Sequence, residues 1–344
     1  MKYKLLYGWL ILITLTFTHW LNISSFIQVS ARAESQNKDV VCTPNGCSVV
    51  PRSPSTITTL MPYGSAIREQ RPTFRWLTVE DAVEYEVTLK NSEGVLWRVN
   101  NITETQLAYP NNQNPLSLEG YYELEVRATI ASDNESLKRE SVFFKTLSLV
   151  DIQRLDVEIQ AIRDRALDTD TETLKIAQLY TSTEKNYNLI AEAISILNEA
   201  IANDTESIPI YLLLGELYQK DIKAYDLAQI SYQKALELSQ MTNNLETEAE
   251  AQIGLARVAL SVNENRELAI EHLKSAYETY KALENEDFNI AQMAQFIAEV
   301  YSFDVENTDM AVEWYQVALA SYQSLDRQDY IDGIKEEIDE LQQQ

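Results

Sequence analysis

The chain has 344 residues, 45% of them hydrophobic, and a formal charge of −25. That length allows two or three domains, and the acidity repels nucleic acid and anionic lipid surfaces while favouring basic partners. Nearly all of the charge, −24, falls on residues 151–344, so the two halves of the chain differ electrostatically.

The chain opens with MKYK, a run LLYGWLILITLTF and, further on, Ala31-Arg32-Ala33. A basic start, a short apolar stretch and a small-x-small site predict a secretory signal peptide over residues 1–33, cleaved after Ala33. The apolar run falls short of the roughly 20 residues that span a bilayer. The protein is thus expected in the periplasm or outside the cell; the alternative is anchoring through an uncleaved leader. Residues 34–56, rich in Pro and Ser towards their end, read as a flexible tether. They hold the only two cysteines, Cys42 and Cys47, on either side of Pro44-Asn45-Gly46. An oxidising compartment favours a disulfide there, worth about 2 kcal/mol at most for so short a loop. A redox pair and free thiols remain the alternatives.

Between residues 57 and 147 the pattern has period two. Tyr85, Val87 and Leu89 alternate with polar residues, as do Val95, Trp97 and Val99, then Tyr122, Leu124, Val126 and Ala128, then Val142 and Phe144. Short alternating strands between Asn/Gly/Pro turns predict an antiparallel β-sandwich. Trp76, Ala82-x-x-Tyr85-x-Val87, Leu116 and Tyr122-x-Leu124-x-Val126-x-Ala128 resemble a fibronectin type III or immunoglobulin-like module. The resemblance implies that Tyr122 ties a corner between strands. It implies no activity, because this fold hosts many.

From Asp151 the period becomes 3.6. Ala-x-x-x-bulky-x-x-Ala occurs at Ala193/Leu197/Ala200, Ala228/Tyr232/Ala235, Ala269/Leu273/Ala276 and Ala311/Tyr315/Ala318, with starts 35, 41 and 42 residues apart. Each is preceded by a second motif: Ile176-Ala177-x-x-Tyr180, Leu214-Gly215-x-x-Tyr218, Leu255-Ala256-x-x-Ala259 and Ile297-Ala298-x-x-Tyr301. The gap between the two is ten residues in three cases and thirteen in the first. Spacings of i, i+4 and i+7 share one helical face, so each unit predicts two antiparallel helices, A and B, whose small residues let backbones close on a large side chain. Loops such as Asn263-Glu264-Asn265 and Asn307-Thr308-Asp309 supply N-caps for helix B.

This two-part pattern resembles the tetratricopeptide repeat. Three features depart from it: the A–B turn is one residue longer, the closing proline is absent, and the later spacing is 41–42. The expected organisation is a connecting helix at 151–167, tetratricopeptide-like repeats at 168–328 and a capping helix at 329–344. The cap shows Tyr330, Ile334, Ile338 and Leu341 on one side and Glu336, Glu337, Asp339 and Glu340 on the other.

Chemistry is hard to find. His272 is the one histidine outside the leader, and no cysteine lies in the repeats. Acid pairs such as Glu248/Glu250 are unspecific among 53 carboxylates, and a glycosidase using two of them is the weakest hypothesis. No cofactor or metal site is expected. The resemblance implies a concave groove lined by helix A residues beside the small position: Gln178, Glu216, Gln219, Lys220, Arg257, Gln295 and Glu299. A non-catalytic exported scaffold for a protein or peptide segment is the leading expectation. The alternative is a cell-envelope glycan-binding module, with the β-sandwich as reader, Trp97 and Tyr121 as exposed aromatics and the helices as spacer.

Overall fold

The computed structural model describes residues 38–343, except 44–45, 52–56, 64–65, 80, 131–137, 186, 263–264 and 284–286. The leader, Pro44-Asn45 and most of the Asn263-Glu264-Asn265 loop lie outside the described residues. The chain forms two compact units, residues 1–56 with 79–81, and residues 57–78 with 82–344. In the first unit, strands β1 (Lys38–Thr43) and β2 (Gly46–Pro51) pair antiparallel within the segment expected as a tether, and their register sets Cys42 opposite Cys47.

The second unit begins with two sheets. Five strands run in the order β4 (Ala66–Ile67), β10 (Lys138–Thr146), β9 (Tyr121–Ile130), β6 (Ala82–Asn91) and β7 (Gly94–Ile102). Three run β3 (Thr59–Met61), β5 (Thr73–Trp76) and β8 (Gln106–Ala108). Every contact between strands is antiparallel except β4 with β10. The alternating residues do face inward: Tyr85, Val87, Leu89, Leu124, Val126, Ala128 and Phe144 are all buried. Rings from the two sheets meet: Phe74 lies 5.7 Å from Trp97, and Trp76 meets Tyr85 edge-on at 5.4 Å. Trp97, which the glycan-binding alternative needs exposed, is a core residue, packed also against Tyr109 at 5.7 Å. Val95 does the reverse and lies exposed next to the β6–β7 turn.

Tyr122 ties a corner. Its hydroxyl accepts the Ser117 N–H at 2.8 Å and donates to the Ser117 carbonyl at 3.3 Å. Gly120 is needed there because a β-carbon would collide with the Tyr122 ring and hydroxyl.

The rest is helical and repeats. After α1 (Leu149–Arg163) come four A/B pairs: α2 (Thr169–Tyr180) with α3 (Ile190–Ala202), α4 (Ile208–Leu217) with α5 (Tyr225–Thr242), α6 (Leu245–Ser261) with α7 (Arg266–Ala282), and α8 (Asp287–Glu299) with α9 (Thr308–Ser324). Helix α10 (Gln328–Gln342) closes the series. Packing runs mainly between helices adjacent in sequence, with α4 also touching α6, the next A helix. The paired alanines and the bulky residue between them are fully buried in the last three pairs.

The departures from the tetratricopeptide pattern each have a structural counterpart. The 41–42 spacing is taken up by long helices, 17 or 18 residues from α5 to α7. In place of closing prolines, left-handed residues end the helices: Ala166, Asp204, Asn243 and Asp326 have φ of 51–61°. The longer A–B turn in pairs two and four becomes a π-helical turn, Tyr218–Ile222 and Val300–Asp304. One extra residue is absorbed by widening the helix there. Asn307 caps α9 by accepting the Met310 N–H, whereas Asn265 makes no side-chain cap on α7.

The thirteen-residue gap in the first pair serves the sheets. Its loop, residues 181–189, presents the Asn188 carbonyl to the Ala66 N–H of β4 at 3.0 Å. Arg68 adds two links: its N–H donates to Glu192 of α3 at 2.8 Å, and its guanidinium pairs with Asp156 of α1 at 2.6 Å. One apolar core runs through Ala66, Leu147, Leu155, Tyr187 and Leu189 into the repeats. At the far end Ile331, Ile334, Ile338 and Leu341 of α10 seal the last pair, and Tyr330 stacks on Tyr322 at 4.6 Å.

Candidate functional site

Gln178, Glu216, Arg257 and Glu299 each follow the small residue of the A-helix motif, so the repeat places them at equivalent positions in four successive A helices. Their environments differ. Gln178 is exposed; Glu216 and Arg257 are half-buried; Glu299 is 8% exposed.

In the second and third pairs the column surrounds Tyr232. This tyrosine donates to Gln219 Oε1 at 3.2 Å, and both side chains are buried. Glu216 and Arg257 lie close enough to act on the Tyr232 hydroxyl in opposite directions, while burial pushes its pKa well above the ordinary tyrosine range. Lys220 pairs with Glu216 at 2.5 Å across one helical turn. Burial, with Glu246 and Glu216 nearby, pushes Glu250 up to about 7. Asp221, in the π-helical turn, is pushed to about 6 by burial and by Glu216.

In the fourth pair the same position turns inward. Tyr322 donates to Gln295 Oε1 at 3.1 Å, and the Gln295 amide donates to Glu299 Oε1 at 2.9 Å. The second Glu299 oxygen is buried with no hydrogen-bond partner. Burial, with Glu337 across the interface on α10, pushes Glu299 up to about 8. Burial thus disfavours the charged form of Glu299, which is set in a chain of hydrogen bonds.

The seven residues expected to line a groove therefore separate. Gln178, Glu216, Lys220 and Arg257 reach solvent; Gln219 and Glu299 are buried in internal bonds, and Gln295, half-buried, is spent on Tyr322 and Glu299. Their aliphatic neighbours gave no hint of this, because polar residues one turn apart look alike whether they face water or a tyrosine. His272 lies within hydrogen-bond distance of buried Gln252, and burial lowers its pKa.

Sequence reasoning passed over Gly254. A β-carbon at Gly215 would come within 2.8 Å of the Tyr232 ring, and one at Gly254 would come closer still. The two glycines on adjacent A helices clasp the same ring. A glycine inside an apolar helical run was the available signal.

A second feature lies on the outer face of the five-stranded sheet. Glu125, almost fully buried, faces Lys90 Nζ at 3.0 Å, Arg127 Nε at 2.6 Å and Arg139 at 3.7 Å. Burial alone would raise its pKa, but the Lys90 hydrogen bond and the two guanidiniums hold it below the usual carboxylate range. Beside this cluster Tyr121 and Phe143 project, 74% and 67% exposed.

No helix among the described residues is long and apolar enough to cross a membrane. No protein-family model matches the chain, and no curated protein matches it. Several solved structures resemble it, three of them as follows. BtubC (BKLC) from P. vanneervenii is 17% identical over 56% of this chain and 90% of its own, with a TM-score of 0.42. MamA protein is 21% identical over 51% and 87%, TM-score 0.39. A beta-1,2-glucanase from Parabacteroides distasonis is 13% identical over 70% and 38%, TM-score 0.22. All three scores lie below 0.5, and neither function nor partner follows from them.

Proposed function

We propose that the chain is an exported, non-catalytic scaffold that holds a protein or peptide segment against the A-helix column of a tetratricopeptide-like array. One observation carries this reading. Each two-part sequence motif falls on one A/B helix pair, so a single polar position recurs at successive steps along the stack. A stack in which helices touch mainly their neighbours leaves such a column able to follow an extended ligand. The polar mix of Gln178, Glu216, Lys220 and Arg257 suits a backbone held by hydrogen bonds and charge, and the net charge of −24 on this half favours basic segments. The sheets, by this reading, form an immunoglobulin-like or fibronectin type III-like sandwich, supported by the strand order and the Tyr122 corner.

The test begins with crosslinking in the native cell and identification of the attached chain. Gln178→Ala with Arg257→Gln is expected to weaken binding of that partner about tenfold, with the melting temperature unchanged. Unchanged affinity would remove the column as the binding surface.

A further inference from the structure

We infer that the outer face of the five-stranded sheet carries a binding site for a neutral saccharide, built around Tyr121 and Phe143. This goes beyond the scaffold reading and does not depend on it.

The site is an open hollow of about 460 Å³. Antiparallel register puts Tyr121 opposite Lys145 and Phe143 opposite Glu123, so the two rings sit on one diagonal of a single face, between two charged residues. Diagonal neighbours on a sheet are within reach of aromatic side chains. The rings nevertheless stand out into solvent rather than burying each other. Asn91 and Ser92, at the β6–β7 turn, and Asn188, in the loop after α2, complete the lining. The sheet edge and the helical array thus both contribute to it.

The chemistry of this lining selects the ligand class. A helix or apolar peptide would bury the rings but also desolvate Glu123 and Lys145. Next along the same face it would meet Glu125, Arg127 and Arg139, whose charges already satisfy one another. A sugar ring offers an apolar C–H face to an aromatic ring and equatorial hydroxyls to amides, a carboxylate and an ammonium. That is the combination present here. An anionic polymer is disfavoured, because the Glu123 carboxylate lines the hollow together with the Lys145 ammonium, and Lys90 beside Glu123 is shared with Glu125. Pockets of this size with a few convergent polar groups are typical small-ligand sites.

Titration calorimetry of the purified chain with cellohexaose, laminarihexaose, mannohexaose and chitohexaose tests the site. At least one should bind. Tyr121→Ala with Phe143→Ala should weaken it about tenfold or more, and Tyr121→Phe with Phe143→Tyr should retain it. The melting temperature should stay the same in both, since neither ring is buried. Absence of binding to all four probes would overturn the proposal, as would binding that the alanine pair leaves intact. Loss of a dimer in the alanine pair by sedimentation would also overturn it, because a second copy would then cover the patch.

Discussion

The ring of Tyr232 on α5 lies so close to the backbone of Gly254 on α6 that no side chain fits between them. Gly254→Ala is therefore expected to destabilise the chain by about 1–3 kcal/mol through overpacking, despite alanine's better helix propensity. Gly333, on α10, is the control: nothing lies within 4 Å of its would-be β-carbon. Gly333→Ala should stabilise by about 0.5–1 kcal/mol. Urea titrations of both variants check the contrast.

The same argument applies with opposite sign to the bulky residue. Tyr315 is 1% exposed between Ala311 and Ala318, and it belongs to the core that α10 closes. Tyr315→Ala should cost about 3–5 kcal/mol. The loss should show first at the C-terminal end, where hydrogen exchange in α9 and α10 would rise before exchange in α3 does.

Stability should fall as pH rises through the neutral range. The folded pKa of Glu299, about 8, lies above its ordinary 4.5, so between those values the folded chain binds a proton that the unfolded chain has released. The penalty is absent below about pH 4.5 and complete above about pH 8. Gln295, Tyr315, Tyr322 and Glu337 act on it, and none of these four is cationic. Glu299→Gln should leave the melting temperature near pH 5 almost unchanged. At pH 9 it should raise stability by about 2 kcal/mol or more, with a correspondingly flatter profile in thermal melts.

Glu192 should bind the sheets to the array. It accepts the Arg68 N–H, and burial pushes it up to about 7. Glu192→Ala leaves that amide without its acceptor, at a cost of about 1–3 kcal/mol. Amide exchange at Arg68 and Ala66 should accelerate while exchange in α6 and α7 stays slow. Equal acceleration throughout would show that the junction and the repeats open as one.

By itself the sequence determined the elements that local rules govern. Period-two alternation marked the runs that form β6, β7, β9 and β10, and alanines at i and i+7 around a large residue marked the B helices of the four pairs, because burial of one face repeats with the geometry of the backbone; the paired strands β1 and β2 gave no such signal and read as a tether. The apolar stripe of α10 was legible for the same reason, whereas the corner role of Tyr122 was implied by the resemblance to fibronectin type III and immunoglobulin-like modules.

What only the tertiary structure decided depends on which distant neighbour fills a position. Trp97 alternates as a strand residue should, yet its burial comes from Phe74 and Tyr109 on the other sheet and its flank. Glu216 and Glu299 share a motif position; one reaches water and the other is shut in beneath α10. The three extra residues of the first pair carry no periodic signal, and only the fold brings Asn188 to Ala66. Periodicity records that a side is covered, but the covering element comes from elsewhere in the chain, and only the folded contacts specify it.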